Sequence, residues 1–151
     1  MGLFNWFRSG RPKEPGNNQP QAKVQFQLDG DDGYHLQVAR EARAADDYNT
    51  ARLMYQKCAY GVTMRGSDKE KRLLKEEQTQ FAKADPLYRE IISQAKGIVT
   101  GEPGILQTEL YKRLPHDREE IQSALYFGHE LRDLRREKKG RSYMIFPAEL
   151  N

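Results

Sequence analysis

Ile105-Leu106-Gln107-Thr108-Glu109-Leu110-Tyr111-Lys112-Arg113-Leu114-Pro115 is followed by Arg118-Glu119-Glu120-Ile121-Gln122-Ser123-Ala124-Leu125 and then by Lys138-Lys139-Gly140-Arg141-Ser142-Tyr143-Met144-Ile145-Phe146. Thr108, a residue type that caps helices, precedes the apolar-periodic pair Leu110 and Leu114, and Pro115 stops the run. Asp117 is placed to cap the next helix. There Ile121, Ala124, Leu125 and Gly128 fall at i, i+3, i+4 and i+7, so one apolar or small face packs inward. Leu134 and the alternation of Tyr143 and Ile145 against Met144 and Phe146 predict two short strands, with Lys138-Lys139-Gly140-Arg141 as their turn. The order is helix, turn, helix, hairpin.

Working outward, Asp85-Pro86 is an N-cap and N1 pair opening an earlier helix. Leu87, Tyr88, Ile91, Ile92, Ala95, Ile98 and Val99 give that helix its buried face, and Gly101 ends it. From Asp85 to Pro147 this order resembles the winged helix-turn-helix family, whose usual work is binding DNA. The resemblance implies a second helix over Gln107 to Leu114, a recognition helix over about 118–131 that enters the major groove, and a wing over about 134–146. It implies DNA contacts from Arg118, Gln122, Ser123 and Tyr126 on the helix and from Arg136, Lys138, Lys139 and Arg141 on the wing. One departure is visible. Where the family usually has a glycine between recognition helix and first wing strand, this chain has Arg132, which leaves the end of the helix and the orientation of the wing open.

Charge speaks both ways about nucleic acid. Residues 132–141 carry Arg132, Arg135, Arg136, Lys138, Lys139 and Arg141 against Asp133 and Glu137, a local net of +4 that phosphate attracts. Yet residues 85–151 contain 11 basic and 11 acidic side chains, so the unit as a whole is neutral. Glu119 and Glu120 at the start of the recognition helix repel phosphate unless they face away or accept from a cytosine amino group.

The middle of the chain reads as a helical interaction domain over residues 23–84. Val24, Phe26 and Leu28 alternate with Gln25 and Gln27 as a short strand or extended lead-in. Asp29-Gly30-Asp31-Asp32-Gly33 resembles a fragment of a calcium loop, lacks the rest of it, and reads as a polar turn. A helical hairpin runs from Tyr34 to about Arg65. Leu36, Ala39, Ala42 and Ala45 lie on its first arm, Asp46-Asp47 at the turn, and Tyr48, Ala51, Met54, Tyr55, Cys58, Ala59 and Val62 on the second. A third helix over about Asp68 to Ala84 follows, with Leu73, Leu74, Phe81 and Ala82. The segment Ala45 to Ala59 resembles the turn and second helix of a tetratricopeptide unit, and three helices in this order are similar to the microtubule-interacting-and-trafficking domain. No second copy of a repeat follows, so a small bundle or half of a dimer interface is the expectation, with Tyr34, Tyr48, Tyr55 and Tyr60 in its core.

Residues 1–22 read as a disordered tail rich in proline, glycine and Asn/Gln. Within it Gly2-Leu3-Phe4-Asn5-Trp6-Phe7 stands out. Phe4, Trp6 and Phe7 suit a docking peptide for a partner, an interfacial anchor helped by Arg8 and Arg11, or rings folded back onto the domain. The segment is too short for a signal peptide or a span, and Trp6 occupies the position where myristoylation needs Ser or Thr. The single cysteine, Cys58, excludes an intramolecular disulfide and packs as a small buried residue. His35, His116 and His129 are scattered and no Gly-rich loop follows a strand, so neither catalysis nor a metal or cofactor is expected.

The sequence thus predicts a mainly α protein, an N-terminal helical bundle followed by a winged helix with a short antiparallel hairpin. Its expected work is that of a cytoplasmic regulator binding double-stranded DNA, with residues 34–84 forming a homodimer or holding a protein partner. The alternatives are an adaptor whose winged helix binds protein, and a recruitment factor that docks a partner through Phe4, Trp6 and Phe7.

Overall fold

The computed structural model describes residues 25–149; Phe4, Trp6 and Phe7 lie outside them. Gln25 to Asp29 enter as extended chain rather than a strand, with Phe26 and Leu28 packed on the first of two cores. Helix α1 is Gly30–Ala44, so the expected polar turn at 29–33 is instead the first turn of a helix. Asp31 and Asp32 explain the difference. They sit where a helix carries partial positive charge, and Asp32 Oδ1 accepts from Arg65 Nη2 at 2.7 Å.

Helix α1 ends in a tight reversal in which Asp46 takes φ 59°, the Asp46 amide donates to Arg43 O at 3.1 Å and the Asp47 amide donates to Ala42 O at 2.8 Å. Asp47 then caps α2, Tyr48–Arg65, by accepting from the Thr50 amide at 3.2 Å. Helix α3, Asp68–Ala84, opens on a capping box. Ser67 Oγ accepts from the Glu70 amide at 3.1 Å, and Glu70 Oε1 accepts from the Ser67 amide at 2.9 Å.

These three helices enclose Leu36, Ala39, Ala51, Tyr55, Cys58, Val62, Leu74 and Phe81. Alanines at 39 and 51 let α1 and α2 approach closely. A part-buried ionic group crosses the bundle: Arg40 donates to both oxygens of Glu77 at 2.9 and 2.7 Å, and the Tyr55 hydroxyl donates to Glu77 at 2.7 Å. Of the four tyrosines expected inside, Tyr55 is buried and Tyr48 packs against Phe81. Tyr34 and Tyr60 are 66% and 71% exposed, because Tyr60 lies off the seam of α2 on the flank it shares with Leu53 and Met64.

Only Asp85 separates α3 from α4, Pro86–Gly101. Its carboxylate accepts from the Leu87 amide at 3.0 Å, capping α4, and takes Nε and Nη2 of Arg52 at 2.8 and 2.6 Å. A second core then gathers Tyr88, Ile91, Ile92, Ala95 and Val99 of α4 with Leu110, Leu114, Ile121, Ala124, Leu125, Leu134 and Ile145; Ala82 of α3 belongs to it as well.

Beyond α4 come β1, Ile105–Leu106; α5, Gln107–Arg113; α6, Arg118–Glu130; β2, Leu134–Lys139; and β3, Ser142–Pro147. The sheet is antiparallel in the order β1-β3-β2, with Ile105 opposite Ile145 and Arg136 also opposite Ile145. Three details differ from the expectation. Ile105–Leu106 forms a third strand on the far edge of β3, and α5 therefore begins at Gln107 without a side-chain cap, leaving Thr108 exposed inside its first turn. Lys138 and Lys139 belong to β2, and the turn is Gly140-Arg141, with Gly140 at φ 61° where a two-residue hairpin needs a glycine.

The position that lacks its glycine is the third detail. Arg132 itself adopts φ 61°, its amide donates to His129 O at 3.1 Å and the Asp133 amide donates to Gly128 O at 2.8 Å. The helix therefore ends where a glycine would end it, with an arginine in the left-handed conformation. No helix among the described residues is long and apolar enough to cross a membrane.

Candidate nucleic-acid interface

Helix α6 is fixed by its ends and by one face. The Asp117 amide donates to Glu120 Oε1 at 3.1 Å, which turns Glu120 back onto the helix start. Ile121, Ala124, Leu125 and Gly128 are buried, and a β-carbon at Gly128 would stand 2.8 Å from Ile92 Cδ1, so the glycine permits close crossing of α4 and α6. Arg118, Glu119 and Gln122 remain exposed. The Arg118 guanidinium lies 5.1 Å over the ring of Tyr111 on α5.

The other flank of α6 meets the bundle. Ser123 and Phe127 line a cavity of about 40 Å³ with Arg52, Gln56 and Gln78, room for water and too little for a metabolite. Ser123 thus faces the bundle. Lys75 of α3 pairs with Glu130 at 3.0 Å and stands 5.6 Å from the Tyr126 ring. The Glu130 carboxylate, through that hydrogen bond, holds the Lys75 ammonium above its ordinary range.

Tyr126 is half-buried and receives a second cation from the hairpin, Arg136, at 5.5 Å. Alternation along β2 and β3 puts Leu134, Arg136 and Lys138 on the same side as Tyr143 and Ile145. Arg136 lies 3.9 Å over the Tyr143 ring, donates from Nη1 to Gln107 Oε1 at 3.3 Å, and gives its backbone N–H to His129 Nδ1 at 3.1 Å. Lys138 Nζ stands 5.7 Å from the same Tyr143 ring. Lys139 and Arg141 are exposed at the tip. On the opposite side of the hairpin Arg135 stacks on Phe146 at 4.3 Å and pairs with Glu137 and Glu149.

Of the eight residues expected to contact DNA, a chain of contacts therefore joins Arg118, Tyr126, Arg136 and Lys138, with Gln122 exposed on the same helix. Lys139 and Arg141 extend it at the tip, and Ser123 is turned elsewhere. Sequence reasoning missed Gln107, Tyr111 and Tyr143, which hold that chain together, and Lys75, which comes from another part of the protein. Gln107 carried one legible signal, a polar residue set between the apolar Ile105-Leu106 and Leu110, and the structure buries it. His116 Nε2 lies 2.8 Å from Gln94 Oε1, tying the turn before α6 to α4. Among the described residues no group of His, Cys, Asp or Glu is arranged to hold a metal ion. No family model, curated protein or solved structure matches this chain.

Proposed function

We propose that the chain binds double-stranded DNA as a winged-helix regulator of the cytoplasm, with α6 as recognition helix and β2–β3 as wing. Support comes from the order α4, α5, α6, β2, β3, which the resemblance implies, with β1 added at the edge of the sheet. The observation that carries the reading is the chain of basic and aromatic contacts that links Arg118, through Tyr111, Gln107, Arg136 and Tyr143, to Lys138, with Tyr126 beside Arg136. Phosphates are met by Arg118, Lys138, Lys139 and Arg141, and Gln122 reaches a base edge.

The neutral charge of residues 85–151 does not oppose this, because most of their acids are spent internally. Glu120 caps α6, Glu130 pairs with Lys75, Asp133 accepts from Tyr88 and faces Lys96, and Glu102 and Glu109 pair with Arg113 and Lys112. Glu137 pairs with Arg135 on the far side of the hairpin. On α6, Glu119 stands exposed beside Gln122.

The bundle is the association unit in this reading. Tyr34, Leu53, Tyr60 and Met64 are large apolar side chains exposed on α1 and α2, and they suit a homodimer or a protein partner through residues 34–84. Titrating salt against binding to random-sequence duplex is the test. Four phosphate contacts predict a slope of log K against log salt of about −3 to −4. Absence of binding at low salt would remove the DNA reading and favour the adaptor, which the same exposed apolar residues support.

A further inference from the structure

Gln107 and Asp85 are the buried polar or charged side chains among the described residues, and Asp85 is accounted for by Arg52 and by its cap. Gln107 has no such local reason. Its Nε2 donates to the Tyr111 hydroxyl at 2.6 Å and its Oε1 accepts from Arg136 at 3.3 Å, so one amide joins α5 to the hairpin. Tyr111 in turn carries the guanidinium of Arg118 on α6. Arg136 lies over Tyr143 on its own hairpin and beside Tyr126 on α6, and its Nε is buried without a hydrogen-bond partner. A guanidinium that meant to grip phosphate would keep its fork in solvent. This one gives Nη1 to Gln107 on α5 and lies against the rings of Tyr143 on β3 and Tyr126 on α6, so protein groups on three elements hold it.

We propose that Gln107 and Arg136 form a brace that sets the angle between hairpin and α6, and that Arg136 is a positioning residue rather than a phosphate contact. The proposal rests on the DNA reading for its consequence, and on the geometry alone for the brace. Arginine is required because a planar cation can stack on Tyr143 while one edge reaches the Gln107 carbonyl; lysine offers a point charge without faces. The brace fixes where Lys138 stands relative to Gln122 on α6, which decides whether phosphate and base contacts are made together.

Two measurements on the full chain separate the possibilities. The first is duplex affinity as a function of salt for wild type, Lys138→Ala, Arg136→Met, Arg136→Lys and Gln107→Leu. Lys138→Ala should reduce the slope by about one, as loss of a phosphate contact does. Arg136→Met and Gln107→Leu should weaken binding about tenfold at fixed salt and leave the slope unchanged. A slope reduced by one in Arg136→Met would make Arg136 a phosphate contact and overturn the proposal.

The second is amide hydrogen exchange without DNA, read as the ratio of exchange in residues 134–147 to that in α4. That ratio should rise about tenfold in Arg136→Met, Arg136→Lys and Gln107→Leu alike. Arg136→Lys keeps the stem and the charge, so it remains informative if a harsher variant does not fold. An unchanged ratio would show that no brace exists. If wild type fails to bind duplex, the DNA reading falls while the exchange ratio still decides the brace.

Discussion

Replacing Arg132 by glycine should make this protein more stable. Arg132 holds φ 61° at the end of α6, and a residue with a β-carbon in that conformation is destabilised by about 1–2 kcal/mol. Glycine removes that strain but loosens the unfolded chain, which offsets about 0.4–1 kcal/mol of the gain. The Arg132 side chain is exposed, so its loss takes no packing with it. The net is a stabilisation of about 1 kcal/mol, equivalent to a rise in Tm of about 2–4 °C for a protein of this size. Arg132→Ala is the control, because it removes the charge and the stem and keeps the β-carbon. Asp46→Gly at φ 59° gives a comparison: aspartate tolerates the left-handed region better, and Asp46 accepts from the Tyr48 hydroxyl at 3.3 Å, so the gain there should be smaller. Urea unfolding followed by circular dichroism reads all three. Should Arg132→Gly prove no more stable than Arg132→Ala, the end of α6 stores no backbone strain and the reasoning is wrong.

Gln122→Ala should relax preference at one base pair by about 1–3 kcal/mol and leave nonspecific affinity nearly intact, measured by competition among duplexes that vary at single positions; an unaltered preference removes Gln122 from base readout. Burial pushes the Cys58 thiol up to about 11, with Asp32 and Glu77 adding to it, so a thiol reagent at pH 8 should label Cys58 only as fast as the protein opens. The folded state holds that proton more tightly than an unfolded thiol near 8.5, so this contribution to stability is intact below about pH 8.5 and lost as pH rises toward 11. Tyr55 and Tyr88 act in the same direction, both phenols being raised chiefly by burial, so Cys58→Ala should flatten only part of the alkaline limb of a stability profile. Tyr60→Asp combined with Met64→Asp should convert a sedimenting dimer to monomer without loss of helix content; a wild-type chain that sediments as monomer and captures no partner contradicts association through this face.

The elements with strong local signals were legible without coordinates. The helical spacing of Leu73, Leu74, Phe81 and Ala82 predicts a third helix over about Asp68 to Ala84 without help from the Ser67 and Glu70 capping box, and α3 has those bounds. Asp85-Pro86 and Gly101 likewise marked both ends of α4. Strand β1 was not legible, since two residues carry no periodicity and their partner lies forty positions away across β3. At the first turn of α1 the Asp and Gly residues signal a turn locally, while Arg65, distant in sequence, rewards the helical arrangement of Asp32. At the candidate interface the resemblance, together with charge and helical spacing, singles out Arg118, Gln122, Ser123, Tyr126, Arg136, Lys138, Lys139 and Arg141. The direction of Ser123 depended on where α3 rests, and the engagement of Arg136 depended on Gln107, neither of which any local pattern reports.

On the proposed DNA reading, the single-residue joint at Asp85 would govern how spacing is measured along a nucleic acid. With α3 and α4 separated by one buried residue that Arg52 grips through two hydrogen bonds, the bundle and the unit carrying α6 are joined as a caliper rather than by a tether. Two such chains associating through α2 would hold their α6 helices at a distance set by protein, not by the operator. Adding one base pair between half-sites displaces them by about 3.4 Å and turns one by about a tenth of a helical turn, and a stiff joint has no slack to follow. Arg52→Ala, by freeing Asp85, should convert a sharp optimum in spacer length into a broad one.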